Sequence, residues 1–573
     1  MKLNYIVTIE DPKNHIVRVC IKGEKSSSDD KLVFFLPSWS PGSYLMREYS
    51  RNIRTLRASA PNGEVLFHEQ IKKGAYEVNW TKSNLKAASN GFEIVYEVYC
   101  HELTVRTSHI DESHAFLHGP SYLMGIEDKE LRDLEIEYKF PALWSKISTG
   151  LKDISTDRNV FKYYAPDYDV LIDAPAEIGC HLTDGFRVDG KDHELAFFGH
   201  TLVPEMNLKD DIKKIVEYIA NMWGEIPYEK YTFITHFAPN TFGGLEHLNS
   251  TALQFCSLRM TKRSDYIMWL SLVAHEYYHT WNVKRIRPKE LGPFDYQNEN
   301  YTKMLWLAEG LTSFMDENLV YRIGLCSLEE YLEMQKKNIN RYLSVKGKKF
   351  HSLEDSSFNT WIKLYRPDEN SNNSSVSYYL KGGIVFFILH TLFAKNGKSI
   401  TDLQNLLWKS YKERPESGLE DFEVYDMVEK IGGSEIRDEF VRMIETTEDL
   451  KLDEAFNELG LELVKNDKPK LSFQCAFDYK EERVFINSVE LDGAAYKSGL
   501  NAGDELISIN NMRLTKSMID ELSNQVKENQ SYELLINRLG YIQKVNLVFE
   551  KESTSVKEIK IIDKNKAQTL LKF

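Results

Sequence analysis

The chain has 573 residues, 42% of them hydrophobic and 28% charged. That length suggests three or four domains of about 150 residues each, and the balance excludes a disordered chain, a collagen-like fibre and a membrane bundle. The net charge of −14 comes without a long basic run, so nucleic acid is not an expected partner.

Six cysteines (Cys20, Cys100, Cys180, Cys256, Cys326 and Cys475) lie far apart and form no C-x-x-C pair, which points to neither a thiolate zinc site nor a disulfide framework. The first apolar stretch meets Glu10 after a few residues, too soon for a signal peptide. No apolar run reaches the roughly 18 residues of a membrane span. The expectation is a reduced, cytoplasmic protein with no membrane span.

From residue 1 to about 190 the pattern is that of strands. Short alternating or apolar runs (Leu3 to Ile9, His15 to Ile21, Leu32 to Leu36, Phe92 to Tyr99) sit between turn clusters such as Ser26 to Asp30 and Pro61-Asn62-Gly63. A β-sandwich over 1–195 is the predicted architecture. Asn207 to Trp223 then places Ile212, Ile215, Val216 and Ile219 on one helical face. Tyr231 to Phe237 reads as a strand leading into a turn-like Asn240 to Gly244. Helix patterns dominate a catalytic region over 196–455, at Asp265 to Val283, Thr302 to Tyr321, Ser327 to Leu343 and Tyr378 to Phe393. Asp368 to Ser375, rich in Asn and Ser, reads as an exposed loop. Residues 456–551 return to short strands with one helix, and a Lys-rich tail over 552–573 is expected to fray.

The chemistry concentrates in His275-Glu-Tyr-Tyr-His279, an H-E-x-x-H inside a helical pattern. Two histidines four apart share a helix face, so both imidazoles can reach one ion. Glu276 lies about 100° round from His275, near enough to touch a metal-bound water without ligating. Ser264-Asp265 supplies a predicted N-cap and a first-turn acid, and Ile267, Trp269, Leu270, Val273 and Ala274 make the helix apolar, hence buried. Downstream, Trp306 to Phe314 is a second apolar helix with a lone carboxylate, Glu309. A buried lone Glu needs neutralisation or a partner, and zinc needs a third protein ligand, so Glu309 is the third-ligand candidate.

The run His275-Glu-Tyr-Tyr-His-Thr-Trp-Asn-Val-Lys-Arg-Ile-Arg-Pro288, followed by Pro293-Phe-Asp-Tyr296 and Leu305-Trp-Leu-Ala-Glu-Gly310, resembles the gluzincin metallopeptidases. Within them it is similar to the glycyl aminopeptidase family, M61, often fused to a PDZ domain. The 29 residues between His279 and Glu309 agree with that family. The resemblance implies zinc held by His275, His279 and Glu309, with Glu276 as general base. Gly243-Gly244-Leu-Glu246 resembles the Gly-x-Met-Glu-Asn element of M1 aminopeptidases, where an exposed strand pairs with substrate backbone and the Glu holds the substrate's α-ammonium. Glu246 takes that role by resemblance, with Gly243 and Gly244 as substrate-binding positions. Tyr378-Tyr379-Leu-Lys381-Gly382 resembles the Tyr-x-Lys-Gly signature of the clan, which selects Tyr379 as oxyanion donor, with Tyr378 as its nearest rival.

Leu36-Pro-Ser-Trp-Ser-Pro-Gly-Ser-Tyr44 looks like the M61 N-terminal β-domain. Residues 493–511 resemble the PDZ core of bacterial proteases. Two departures stand out. No Gly-Leu-Gly-Phe loop precedes Val484, and His390 stands where relatives are expected to carry an acid. The implied architecture is multidomain α+β: an N-terminal β-sandwich, a mainly helical thermolysin-like catalytic domain and a C-terminal PDZ-like domain. The implied activity is a zinc aminopeptidase acting on peptides with a free N-terminus, favouring Gly or other small residues, and the PDZ-like domain is a candidate site for a peptide or protein ligand. The competing readings are a zinc endopeptidase, a non-peptide amidase and a catalytically idle PDZ-containing scaffold.

Overall fold

Alternating burial turns the short apolar runs of the first 180 residues into strands. Leu3–Thr8, Ile16–Glu24 and Gly91–Tyr99 each bury every second side chain, the period-2 signature of a sheet with one face on a core. The computed structural model describes residues 1–86, 89–157, 159–199 and 205–572. They form two compact units. One comprises Met1–Tyr301, Leu319–Cys326 and Gln404–Leu419; the other comprises Thr302–Asn318, Ser327–Leu403 and Glu420–Phe573.

In the first unit a seven-stranded sheet runs in the order Lys152–Asp153, Phe161–Asp167, Arg132–Lys139, Leu3–Thr8, Ile16–Glu24, Gly91–Tyr99, Ile53–Ser59. Its strands are antiparallel except for the parallel pair Leu3–Thr8 and Arg132–Lys139. A four-stranded sheet containing Lys31–Phe35 and Ala75–Asn79 shares one buried cluster with it (Leu3, Val19, Ile94 and Ile136 against Leu32, Phe34 and Val78). Two sheets closing over a common core form the predicted sandwich.

A five-stranded sheet follows in the order Leu182–Val188, Lys191–Gly199, Lys230–Phe237, Ser250–Phe255, Phe242–Glu246. Its last strand lies at the edge and pairs antiparallel with Ser250–Phe255 only. This strand corrects the turn expected over Asn240 to Gly244. Asn240 alone takes the left-handed turn conformation, at φ 59°, and the glycines that follow are extended. A small cluster of Val105, Phe116, Ala196, Ile234, Leu245 and Ala252 locks this edge to the sandwich.

The H-E-x-x-H helix, Arg263–Tyr278, is buried on nearly every side, as a helix apolar all round must be. Its N-cap is Lys262, without a side-chain cap bond, so the predicted cap Ser264 is the second residue of the helix. The helix ends before the predicted Val283. The buried Arg285 guanidinium turns back there, donating to the carbonyls of Thr280 at 2.7 Å and Pro227 at 2.8 Å. A cation over a helix C-terminus is favourable, and here it also holds the turn that follows.

In the second unit the expected helix from Thr302 begins later, as a π-turn over Trp306–Gly310 that continues into Leu311–Arg322. Leu328–Ser344 and Tyr378–Ala394 match their predicted spans closely. The C-terminal sheet orders Cys475–Lys480, Arg483–Val489, Glu505–Ile509, Ser531–Arg538, Tyr541–Val548 around its own core, including Val484, Leu506 and Ile536. The tail expected to fray is folded. Val556–Ile561 pairs with Leu461–Lys465, and the helix Lys564–Lys572 follows. His390 explains part of this, since its Nε2 meets the Leu570 carbonyl at 2.8 Å while Asn318 donates to Leu571 O at 3.2 Å. The Asp368–Ser375 loop is likewise held, with Asn373 bonded to Val489 O at 2.8 Å and Leu491 N at 2.9 Å. Among the described residues no helix is long and apolar enough to cross a membrane.

Candidate active site

Each unit contributes its own set of predicted site residues. In the first unit, one helical turn sets His275 and His279 with ring centroids 4.7 Å apart and planes at 85°. His279 is 1% exposed, and its Nδ1 lies 2.6 Å from the carbonyl of Asn282. A carbonyl only accepts, so Nδ1 carries the proton and Nε2 keeps its lone pair. Metal-ligating histidines are typically anchored in this way. Zinc is borderline-soft and takes imidazole nitrogen, so this half of the donor set fits it.

The edge strand brings two carboxylates to the same place. One donor atom from each of Glu246, Glu276 and His279 lies within 4.8 Å of the others, and all three residues are buried. Two glycines make the room. A Cβ at Gly244 would lie 2.0 Å from Glu276 Oε1, and one at Gly42 would lie 2.4 Å from Glu246 Oε1. Gly42 also has φ +83°, where only glycine is comfortable. Arg106 donates to the Gly244 carbonyl at 3.3 Å, steadying the strand, and Gly243 pairs with Gln254 across the sheet.

Gly42 reaches Glu246 because two signature segments pack together. Trp39 Nε1 donates to Asp295 O at 2.8 Å, Ser38 N donates to Tyr296 O at 2.8 Å, and Tyr296 donates to Asp169 at 2.6 Å. The role of Gly42 was not visible in the sequence; the only signal was the Pro41-Gly42 dipeptide inside the N-terminal resemblance. Behind Glu246, the buried His247 and the half-buried Lys284 meet Asp173 at 3.1 and 2.8 Å. Burial works against the Asp173 carboxylate, but Lys284 and His247 outweigh it and hold its pKa at about 2.

In the second unit, Glu309 sits 2% exposed on the π-turn, a local widening frequent at functional sites. Tyr379 opens the helix Tyr378–Ala394, which Ser377 caps by accepting from Leu380 N. The π-turn and this helix touch backbone to backbone. A Cβ on Gly310 would meet Gly382 Cα at 2.8 Å, and one on Gly382 would meet Gly310 Cα at 2.9 Å. The Glu-Gly and Lys-Gly pairs of the two signatures are therefore one contact, and it brings Glu309 alongside Tyr379. Burial and then the Glu309 charge push the Tyr379 phenol well above its ordinary pKa, keeping it a neutral O–H donor. The rival Tyr378 is fully buried, and its hydroxyl is engaged by Thr360 at 2.9 Å. Its place is in the core. Lys381 is buried too, donating to Thr446 O at 3.1 Å at the end of the helix Ser434–Glu445, and burial lowers its pKa to about 8.

The C-terminal region holds a cavity of about 540 Å³ lined by residues of the strand Cys475–Lys480 and of the helix Lys516–Gln525, among them Phe477, Tyr479, Ile519 and Leu522. At its mouth, where a Gly-Leu-Gly-Phe loop was missing, the chain reads Leu471-Ser-Phe-Gln474. Gln474 spans the turn by bonding Ala494 N at 2.8 Å and Lys551 O at 3.0 Å.

Comparison with known proteins bears on the family and the fold. The model of the M61 N-terminal domain matches residues 4–180, that of the M61 glycyl aminopeptidase matches 268–385 and that of the PDZ domain matches 450–537. The crystal structure of an aminopeptidase N family protein from Idiomarina loihiensis aligns at TM-score 0.92 and 27% identity, over 99% of this chain and 100% of that one. A mutant of an M1 zinc metallopeptidase from Deinococcus radiodurans aligns at TM-score 0.50 and 14% identity, over 79% and 95% of the two chains, a likeness of fold alone. No curated protein sequence matches.

The fold is thus the multidomain α+β architecture of the gluzincins, with an N-terminal β-sandwich, a helical middle and a PDZ-like end. More particularly, the chain is recognised as a peptidase of the M61 glycyl aminopeptidase type carrying a PDZ domain.

Proposed function

We propose that the protein is a zinc-dependent aminopeptidase, with functional divisions at 1–195, 196–455 and 456–551. The observation that carries this reading is the buried trio Glu246, Glu276 and His279, within 4.8 Å of one another. A carboxylate that close to the base and to a metal-ligating imidazole suits a substrate whose amine is one carbon away from the carbonyl under attack. Only the N-terminal residue of a peptide has that spacing, and a chain continuing past Glu246 would run into a buried carboxylate.

His275, His279 and Glu309 would hold the zinc. When bound, it supplies Lewis acidity, lowering the pKa of water toward about 7 and polarising the scissile carbonyl. The rest of the chemistry belongs to the chain. The edge strand Phe242–Glu246 pairs with substrate backbone, and Glu246 accepts hydrogen bonds from the α-ammonium. Glu276 takes a proton from the attacking water and passes it to the leaving amine. Tyr379 O–H donates to the oxygen that becomes negative, a contribution of about 3 kcal/mol for one well-placed donor. A preference for N-terminal Gly or other small residues is proposed by analogy with the M61 family, and the C-terminal groove is proposed as a site for a peptide or protein segment.

The test is Glu276→Gln. It should retain zinc while turnover falls roughly 10²- to 10⁴-fold, the range for a positioned general base. A variant with near-normal turnover would falsify the assignment. Loss of wild-type activity to a chelator, with recovery on added zinc, separates the metallopeptidase reading from an idle scaffold.

A further inference from the structure

The hairpin of strands His109–Ile110 and His114–Leu117 carries polar side chains that peptide hydrolysis does not use. One donor atom from each of His109, Asp111 and His114 lies within 4.8 Å of the other two. Both imidazoles are held from behind. His109 Nδ1 meets the carbonyl of His101 at 2.6 Å, and His114 Nδ1 meets Glu177 Oε1 at 2.7 Å. Both contacts place the proton on Nδ1 and leave the Nε2 lone pair, as carbonyl or carboxylate partners do for metal-binding histidines. Asp111 is fixed as well, since its Oδ1 accepts from Ser113 N at 2.7 Å and His114 N at 3.2 Å.

The consequence is that Asp111 Oδ2 faces His109 Nε2 at 3.2 Å. With the His109 proton on Nδ1 these are two acceptors, and they approach each other favourably only with a positive charge between them, either a metal ion or a second proton on Nε2. Their separation is close to the ~3.3 Å expected between neighbouring ligands of a tetrahedral ion with bonds of about 2.0–2.1 Å. An inner group of His114, Glu177 and His236 is also close-set, but all three residues are closed to solvent. There His236 Nε2 meets the second Glu177 oxygen at 2.9 Å. The outer group is reachable, with the Asp111 side chain 41% exposed and that of His109 12% exposed.

We propose that His109, Asp111 and His114 form a second divalent-metal site, separate from the peptidase centre. Two nitrogens and one carboxylate select a transition ion such as zinc over magnesium or calcium, which favour oxygen ligands. An open fourth position is left to water. The ion would tie the hairpin, through Glu177 and His236, to the strand Lys230–Phe237 of the sheet whose edge carries Glu246. It would act as a structural clasp, so added zinc should raise the melting temperature beyond what the peptidase site contributes.

The experiment uses the full chain equilibrated with zinc, freed of excess and assayed for metal by mass spectrometry. The variant H109A/D111N should hold one zinc fewer per chain than the wild type, whatever the wild-type count, and should keep its peptidase turnover. The variant H275A/H279A should still bind zinc at the hairpin. Equal zinc content in H109A/D111N and wild type overturns the proposal. If that variant fails to fold, wild-type crystals grown with zinc decide. An anomalous peak about 2.0–2.2 Å from His109 Nε2 supports the site, and none there rejects it.

Discussion

Two pairs of glycines beside the site residues, one pair in each compact unit, are used in opposite ways. In the first, Gly42 and Gly244 make space for side chains, since a Cβ at either would strike the carboxylate of Glu246 or Glu276. In the second, Gly310 and Gly382 make space for backbone, letting the π-turn of Glu309 lie against the helix of Tyr379. A carboxylate can swing away from an intruding methyl group, at the cost of its position. Two packed backbones cannot, and the cost falls on stability instead. The same residue type thus guards geometry in one place and packing in the other.

Substitutions can break or sharpen that contrast. Tyr379→Phe should lower kcat about 10²- to 10³-fold, as for loss of one oxyanion donor, with the melting temperature little changed. Tyr378→Phe should do the reverse, costing about 1 kcal/mol of stability through the lost Thr360 bond and leaving kcat near wild type. Steady-state kinetics and thermal melts on the pair decide which phenol faces the substrate. Gly244→Ala should reduce kcat roughly 10²-fold by displacing Glu276, the scale of a 1 Å misplacement, in a protein that folds normally. Gly310→Ala should instead destabilise by about 1–3 kcal/mol, as overpacking does. If Gly244→Ala unfolds the chain while Gly310→Ala is silent in melts, the contrast fails.

The smallest effect is expected with pH. The Asp173 carboxylate has a native pKa of about 2 against an ordinary value of 3.8. A depressed carboxylate stabilises the fold above its unfolded pKa, and that contribution disappears as pH falls from about 4 toward 2. Asp173→Asn should flatten that part of the acid-unfolding curve while lowering stability near neutrality, because it leaves the half-buried Lys284 and the buried His247 without their carboxylate. Chemical denaturation across this range reads both effects.

Much of this molecule was legible in the sequence because local rules govern it. Period-2 burial marks the strands, and apolar helices frame His275 and Tyr379. The two histidines needed only the geometry of one helical turn. What escaped was set by distant packing. Gly42 meets Glu246 across some two hundred residues, and no local pattern at Pro41-Gly42 announces it. The π-turn at Glu309 ends on Gly310, whose backbone contact with Gly382 comes from a helix some seventy residues away. Ser264 had the chemistry of an N-cap, yet the helix starts two residues before the expected Asp265. The charged tail had the composition of a frayed end, but its strand found Leu461–Lys465 and its helix found His390.

The central claim is that Glu246 receives a free N-terminus beside the catalytic base. Its most direct test is kcat/KM for one short peptide with and without an acetyl group on its first nitrogen. Acetylation should remove nearly all cleavage of the first peptide bond. Comparable rates for the free and acetylated peptides would contradict the account and leave an endopeptidase or amidase in its place.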